Sequence, residues 1–145
     1  FENILHNMKL YFSCQRNESM REVKSGTCHC GAVEFEVTLQ DGPENIRRCN
    51  CSLCRRRGAI MADAPVTDIR VIRGEDKLTL YQWNTKIAKH YFCGICGIYT
   101  HHKKRSEPIK YGFNIACLED VDPFDIGEIA LANGASMTLL GEDVT

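Results

Sequence analysis

A mainly β domain of antiparallel sheets, with metal sites where strands end, is what this 145-residue chain predicts. Three observations carry that reading. Apolar and polar residues alternate over several short segments, the period of half-buried strands. Turn signals recur at short spacing, with no long amphipathic helix and no internal repeat between them. Cysteines fall in Cys-x-Cys and Cys-x-x-Cys groups at the ends of those segments, which is metal-ligand spacing.

Residues 1–23 are set apart as an N-terminal extension, and the domain is expected over residues 24–145. The first segment has no clear period, Met20 reads as a natural start, and the isolated Cys14 reads as an incidental thiol. Residues 32–39, AVEFEVTL, place Val33, Phe35, Val37 and Leu39 on one face and Glu34, Glu36 and Thr38 on the other. Asp41-Gly42-Pro43 is a turn. Residues 46–51 are expected as a strand end. One helical turn follows over 52–57, with Ser52 as its N-cap. Residues 66–72 alternate less regularly and are expected as a strand. Residues 78–83 and 86–92 form a hairpin through Asn84-Thr85, and 98–102 return as another strand. Residues 109–118 alternate again, with Ile109, Tyr111, Phe113, Ile115 and Cys117 on one face. Cys117 on that face reads as a small buried hydrophobe. Asn133-Gly134 is a turn signal, and 137–140 are expected as a last short strand.

The length fits one domain with its own core. Charged residues make up 26% and the net charge is −1, so nothing global points to nucleic acid or an anionic membrane surface. No apolar run is long enough to span a bilayer, and no secretory signal is legible. Nine cysteines, seven of them in these clusters, without such a signal, favour reduced, metal-binding thiols in the cytoplasm over disulfides.

The organising stretch is RRCNCSLCRRRG, residues 47–58. In an extended segment Cys49 and Cys51 point to one side, and a tight turn brings Cys54 to the same point. A closed structural zinc needs four protein ligands, whereas a catalytic zinc keeps three and an open position. The remaining clustered cysteines make a complete set: Cys28 and Cys30 in TCHCGA, Cys93 and Cys96 in FCGICG. A four-plus-three division therefore follows. The other division joins Cys28 and Cys30 to Cys51 and Cys54; it is less favoured because it splits a local triplet.

Four ordered motifs, GTCHCGAVEFEV, CNCSLCRRRGA, FCGICG and FNIACLEDVDP, span roughly residues 25–124. Together they resemble the glutathione-dependent formaldehyde-activating enzyme family, whose fold is the Mss4-like β fold. CGIYTHH also resembles the shorter bacterial members called aldehyde-activating proteins. The resemblance implies two zinc ions per chain. One is structural, on Cys28, Cys30, Cys93 and Cys96; the other is catalytic and labile, on Cys49, Cys51 and Cys54. It implies a carbon–sulfur lyase, S-hydroxymethylglutathione synthase-like, that forms or breaks thiol–aldehyde adducts. Its partners would be a small thiol such as glutathione and a small aldehyde. The alternative is a non-catalytic zinc module that binds another protein, as the wider fold also does.

Zinc would keep a substrate thiol ionised or polarise a carbonyl. Arg47, Arg48 and Arg55 are candidates to hold substrate carboxylates in bidentate geometry, while Arg56 and Arg57 read as a solvated face. His29 should point away from its flanking cysteines. His101 and His102 should lie on opposite faces, so one of them can approach the open zinc as a base. His90 reads as structural, and Asn50 and Asp63 as residues that orient ligands.

Overall fold

A computed structural model of the chain describes residues 20–137, and it is mainly β. Its elements in order are β1 (Arg21–Thr27), β2 (Glu34–Gln40), β3 (Glu44–Cys49), α1 (Cys54–Arg57), β4 (Met61–Pro65), β5 (Ile69–Arg73), β6 (Leu78–Tyr81), β7 (Lys89–Cys93), β8 (Tyr99–Lys103), β9 (Lys110–Asn114) and β10 (Ala130–Ala132). A three-stranded sheet runs β1-β2-β5 and a seven-stranded sheet runs β10-β3-β4-β9-β8-β7-β6. Every pairing of named strands is antiparallel except β10 with β3, which is parallel.

The alternation of β2 is realised: Phe35, Val37 and Leu39 are buried while Glu34, Glu36 and Thr38 are half-buried. Its inner face packs with Ile60, Ala62 and Ala64 beside and along β4, and with Phe113 of β9, into one core between the sheets. A smaller apolar cluster joins Val33 to Cys28 and Cys93. Among the described residues no helix is long and apolar enough to cross a membrane.

Several expectations need correction. Strand pairing begins at Arg21, opposite Gln40, so residues 21–23 are part of the sheet. α1 starts at Cys54 with Leu53 at its N-cap position and no side-chain cap, so Ser52 does not cap it. A thiol takes the backbone donor instead: Cys54 N–H points at Cys51 Sγ, 3.3 Å away. The weak strand of residues 66–72 is a turn followed by β5. The 78–92 hairpin has a wider loop than Asn84-Thr85, closed by Gln82 Nε2 donating to the carbonyls of Lys86 and Ala88.

In the 109–118 segment, β9 ends at Asn114, whose Oδ1 accepts the Ala116 N–H at 3.2 Å and starts a 3-10 turn over Ile115–Cys117. Ile115 and Cys117 stay buried, whereas Ile109 is 74% exposed. β1, β4 and β10 have no counterpart among the expected strands. β4 lies between β3 and β9 with Met61 to Ala64 all buried, so it shows no alternation. β10 has only three residues. Cys14 and residues 138–140 lie outside the described residues.

Candidate metal centres

The first centre forms where three strand ends meet. Cys28 and Cys30 lie in the β1–β2 connection, Cys93 ends β7, and Cys96 lies in the turn to β8. The turns are held by backbone bonds, Cys28 N–H to Val33 O at 3.0 Å, Cys93 N–H to Ile98 O at 2.9 Å and Gly97 N–H to Cys93 O at 2.8 Å. The four sulfurs lie within 4.8 Å of one another. Cys28 to Cys30 is 3.6 Å and Cys30 to Cys93 is 3.8 Å. A tetrahedral zinc with Zn–S bonds of about 2.3 Å requires sulfurs about 3.8 Å apart, so this set fits that ion. Cys96 is drawn down to about 6: burial opposes ionisation, but the N–H groups of Cys30 and Ile98 outweigh it. Cys30 is pushed up to about 11; the Ala32 N–H lowers it, and burial and the neighbouring thiols prevail.

The second centre is built by the end of β3 and the start of α1. Cys49, Cys51 and Cys54 bring their sulfurs within 4.8 Å of one another, with no fourth His, Cys, Asp or Glu in the group among the described residues. Cys49 Sγ faces the N–H of Cys51 at 3.5 Å. Burial raises the Cys51 thiol, but the N–H groups of Cys54 and Leu53 and the neighbouring thiols hold it below its ordinary value. Burial and the charge of Cys51 push Cys54 well above it. Cys51 is thus more readily ionised than Cys54, whose ionisation a bound cation would favour.

This trio lines a cavity of about 640 Å³. Arg47, Arg55, Arg57, Lys104 and Arg105 line it too, and no carboxylate residue appears among its described lining. Behind the wall, Asp63 of β4 is 2% exposed. It pairs with Arg47 Nη2 and Lys104 Nζ, each at 2.9 Å, and accepts from Asn45 Nδ2 at 2.7 Å. Across the cavity, His90 Nδ1 and Tyr99 Oη are 2.9 Å apart, and His90 stacks on His102 at 5.3 Å between centroids. The Arg57 guanidinium carbon lies 3.9 Å from the Tyr99 ring centroid, a cation–π contact. Nη1 of Arg57 and Nδ1 of His102 are buried without a hydrogen-bond partner. Burial, then the Arg57 charge, lowers His90 to about 4; burial, then the His90 charge, lowers His102 to about 3. Both rings are neutral at pH 7.

Among the sequence candidates, Arg47 and Arg55 reach this cavity, whereas Arg48 lines a separate groove beside Phe124. Arg56 donates to Ser52 O at 2.6 Å, but Arg57, read as solvated, covers Tyr99 instead. His29 is exposed and outside both clusters. His101 faces the core and His102 the cavity. Asp63 anchors cations rather than thiols. Sequence reasoning missed Tyr99 and Lys104 and left His90 as structural. Their common signal is strand register, His90 opposite His102, which no local pattern encodes.

Such an arrangement defines a β domain with two thiol centres suited to metal ions, one closed and one open to a cationic cavity. The chain belongs to the glutathione-dependent formaldehyde-activating enzyme family, which it matches over residues 23–129. A Halomonas elongata protein provisionally named as such an enzyme is 33% identical over 82 residues, 49% of this chain and 50% of that protein. The chain thus spans half the length of that relative. A crystal structure of a Rhodobacter sphaeroides protein superposes with a TM-score of 0.72 at 59% identity, covering 74% of this chain and 99% of that one.

Proposed function

We propose that this protein joins a small carboxylate-bearing thiol, glutathione being the one its family is named for, to formaldehyde or a related small aldehyde. It would also run the reverse reaction, as a carbon–sulfur lyase. The observation that carries this reading is the open thiol trio on a cavity lined by five cationic side chains and no described carboxylate. Cys49, Cys51 and Cys54 would hold the zinc of the reaction, and Cys28, Cys30, Cys93 and Cys96 a closed structural zinc. Zinc at the trio supplies ionisation of a thiol and polarisation of a carbonyl oxygen.

The chain's own residues do the rest. Arg47 and Lys104, held by Asp63, present fixed positive charge to the carboxylates of the thiol, and Arg55 adds an exposed one. In the adduct R–S–CH2–OH, a sulfur–carbon bond forms and the proton lost by the thiol ends on the former carbonyl oxygen. His90 and Tyr99 hold a proton between Nδ1 and Oη on the cavity wall, where that oxygen requires one. Burial, eased by the Arg57 charge, keeps the Tyr99 hydroxyl protonated. Reduced thiol clusters of this kind belong in the cytoplasm.

The test is Cys54→Ser in zinc-loaded protein given glutathione and formaldehyde. The variant should fold, keep one zinc per chain and lose thiol-dependent consumption of the aldehyde. A doubly loaded wild type inactive with every common cellular thiol would leave the non-catalytic binding module as the function. Unfolding of the variant would assign the trio to structure.

A further inference from the structure

We infer that residues 130–136 form a strap that sets the geometry of the three-cysteine centre, with Gly134 and Asn50 as its positioning residues. The inference rests on the reading of that trio as a metal centre and goes beyond it. The strap begins one residue past the end of the family match at 129, so nothing in the family assignment covers it.

Three independent contacts tie the strap to the trio. β10 runs parallel to β3 and places Ala132 opposite Cys49, the first ligand. Asn50, between the first two ligands, makes three hydrogen bonds, all to the strap: its N–H to Ala132 O at 3.2 Å, its Nδ2 to Asn133 Oδ1 at 3.0 Å, and its Oδ1 from the Ala135 N–H at 2.9 Å. Both ends of one amide are thereby used, so the peptide carrying Cys49 and Cys51 has one orientation relative to the strap. The third contact is steric. Gly134 approaches so closely that a Cβ there would lie 2.4 Å from Cys49 Sγ and 3.0 Å from Cys51 Cβ. Only a residue without a side chain lets the strap close on the sulfur.

The physical consequence is that the trio is not self-sufficient. Loop 49–54 is short, and α1, which supplies the third ligand, buries no residue of its own. Any side chain at position 134 forces one of two changes. Cys49 can rotate its sulfur away from the other two, or the strap can lift and break the bonds of Asn50. The first costs one of only three ligands, and the second leaves the peptide that carries two of them unheld. The four-cysteine centre is built by other segments, the β1–β2 connection and the β7–β8 turn, and should not respond.

The experiment measures zinc per chain, and its release to a chromophoric chelator, in the wild-type chain, Gly134→Ala and Asn50→Ala. Cobalt loading adds a spectroscopic readout of thiolate ligation. The wild type should hold two zincs. Gly134→Ala should hold one, with the cobalt–thiolate bands of the second equivalent lost. Asn50→Ala keeps all three sulfurs but frees the strap. Its second zinc should leave on the order of 10- to 100-fold faster, the usual effect of removing a group that orients a metal ligand, while the first zinc leaves at the wild-type rate. If Gly134→Ala does not fold, Asn50→Ala alone decides. Two zincs released at wild-type rates in the variants would overturn the strap's role and leave the trio intact. Loss of both zincs together in Asn50→Ala would make the strap a general stabiliser and also overturn the inference. A wild type with one zinc would instead sink the metal-centre reading itself, and the strap's role with it.

Discussion

Asp63 shows how one buried charge serves a site it does not line. Its carboxylate is nearly inaccessible, yet it holds Arg47 and Lys104, whose side chains are only 13% and 12% exposed. Burial alone would raise its pKa. Hydrogen bonds from Lys104 and Asn45 and the Arg47 charge more than reverse that, and it lies below the ordinary carboxylate value. Its folded pKa is therefore lower than its unfolded value of about 3.9. The stabilisation is complete above that value and is lost as pH falls through the folded pKa. Asp63→Asn should lower unfolding free energy at pH 7 by about 3–5 kcal/mol, because two buried cations lose their counter-charge. Its stability should also depend less on pH than the wild type's below about pH 4. Urea unfolding of both proteins across that range checks both statements. In the proposed reaction the same variant should raise KM for the thiol more than it lowers kcat, since positioned charge is what it loses.

β7 and β8 form the element that separates core from cavity. Tyr91 pairs with His101, but Phe92 pairs with Tyr99, so Thr100 is an extra residue and β8 bulges. A bulge shifts the alternation of the strand that carries it. Tyr99 and His102 consequently reach the same cavity face and stack at 5.9 Å, while His101 turns inward against Phe35 and Tyr91. His101 is held by Thr100 Oγ1 at 3.0 Å, and burial lowers it to about 4. A histidine unfolds to a value near 6.5, so its folded pKa is the lower one. The stability it carries is complete above about pH 6.5 and is lost as pH falls from there through its folded value. His101→Asn should flatten the dependence of unfolding free energy on pH in that window by up to about 1.4 kcal/mol per pH unit. An unchanged slope would mean that His101 is protonated in the fold, against its burial.

The two sheets meet at one core and at the four-cysteine centre. Cys28 and Cys30 extend from the small sheet, Cys93 and Cys96 from the large one, so a metal there staples segments more than sixty residues apart, as the 63-residue separation of Cys30 and Cys93 shows. Structural zinc contributes about 10–16 kcal/mol in small peptides, comparable to or above the 5–15 kcal/mol by which a whole domain is stable. Cys93→Ser should therefore give poorly folded protein with a much lower melting temperature and reduced zinc content. A variant with the wild-type melting temperature and both metals would show that the staple is not needed. Cys54→Ser, at the other centre, should leave the melting temperature near wild type, because the trio bridges only the end of β3 and the start of α1.

Local chemistry was legible without coordinates. The alternation in β2 marks a half-buried strand because side chains of a strand point in turn to opposite faces. The spacing of Cys28, Cys30, Cys93 and Cys96 and of Cys49, Cys51 and Cys54 divides the thiols into the same two groups that the fold assembles. Short-range spacing limits which sulfurs can converge, so it survives translation into structure. Other features had no local signature. β4 is buried on both sides and shows no period. Tyr99, His90 and His102 meet only through the register and bulge of β7 and β8. Gly134 touches Cys49 across 85 positions of chain. Which cations face the thiol trio, and what closes over it, depend on strand order and on approach distances between distant segments. Those are decided by the packing of the sheets, and no pattern within a short stretch of residues records them.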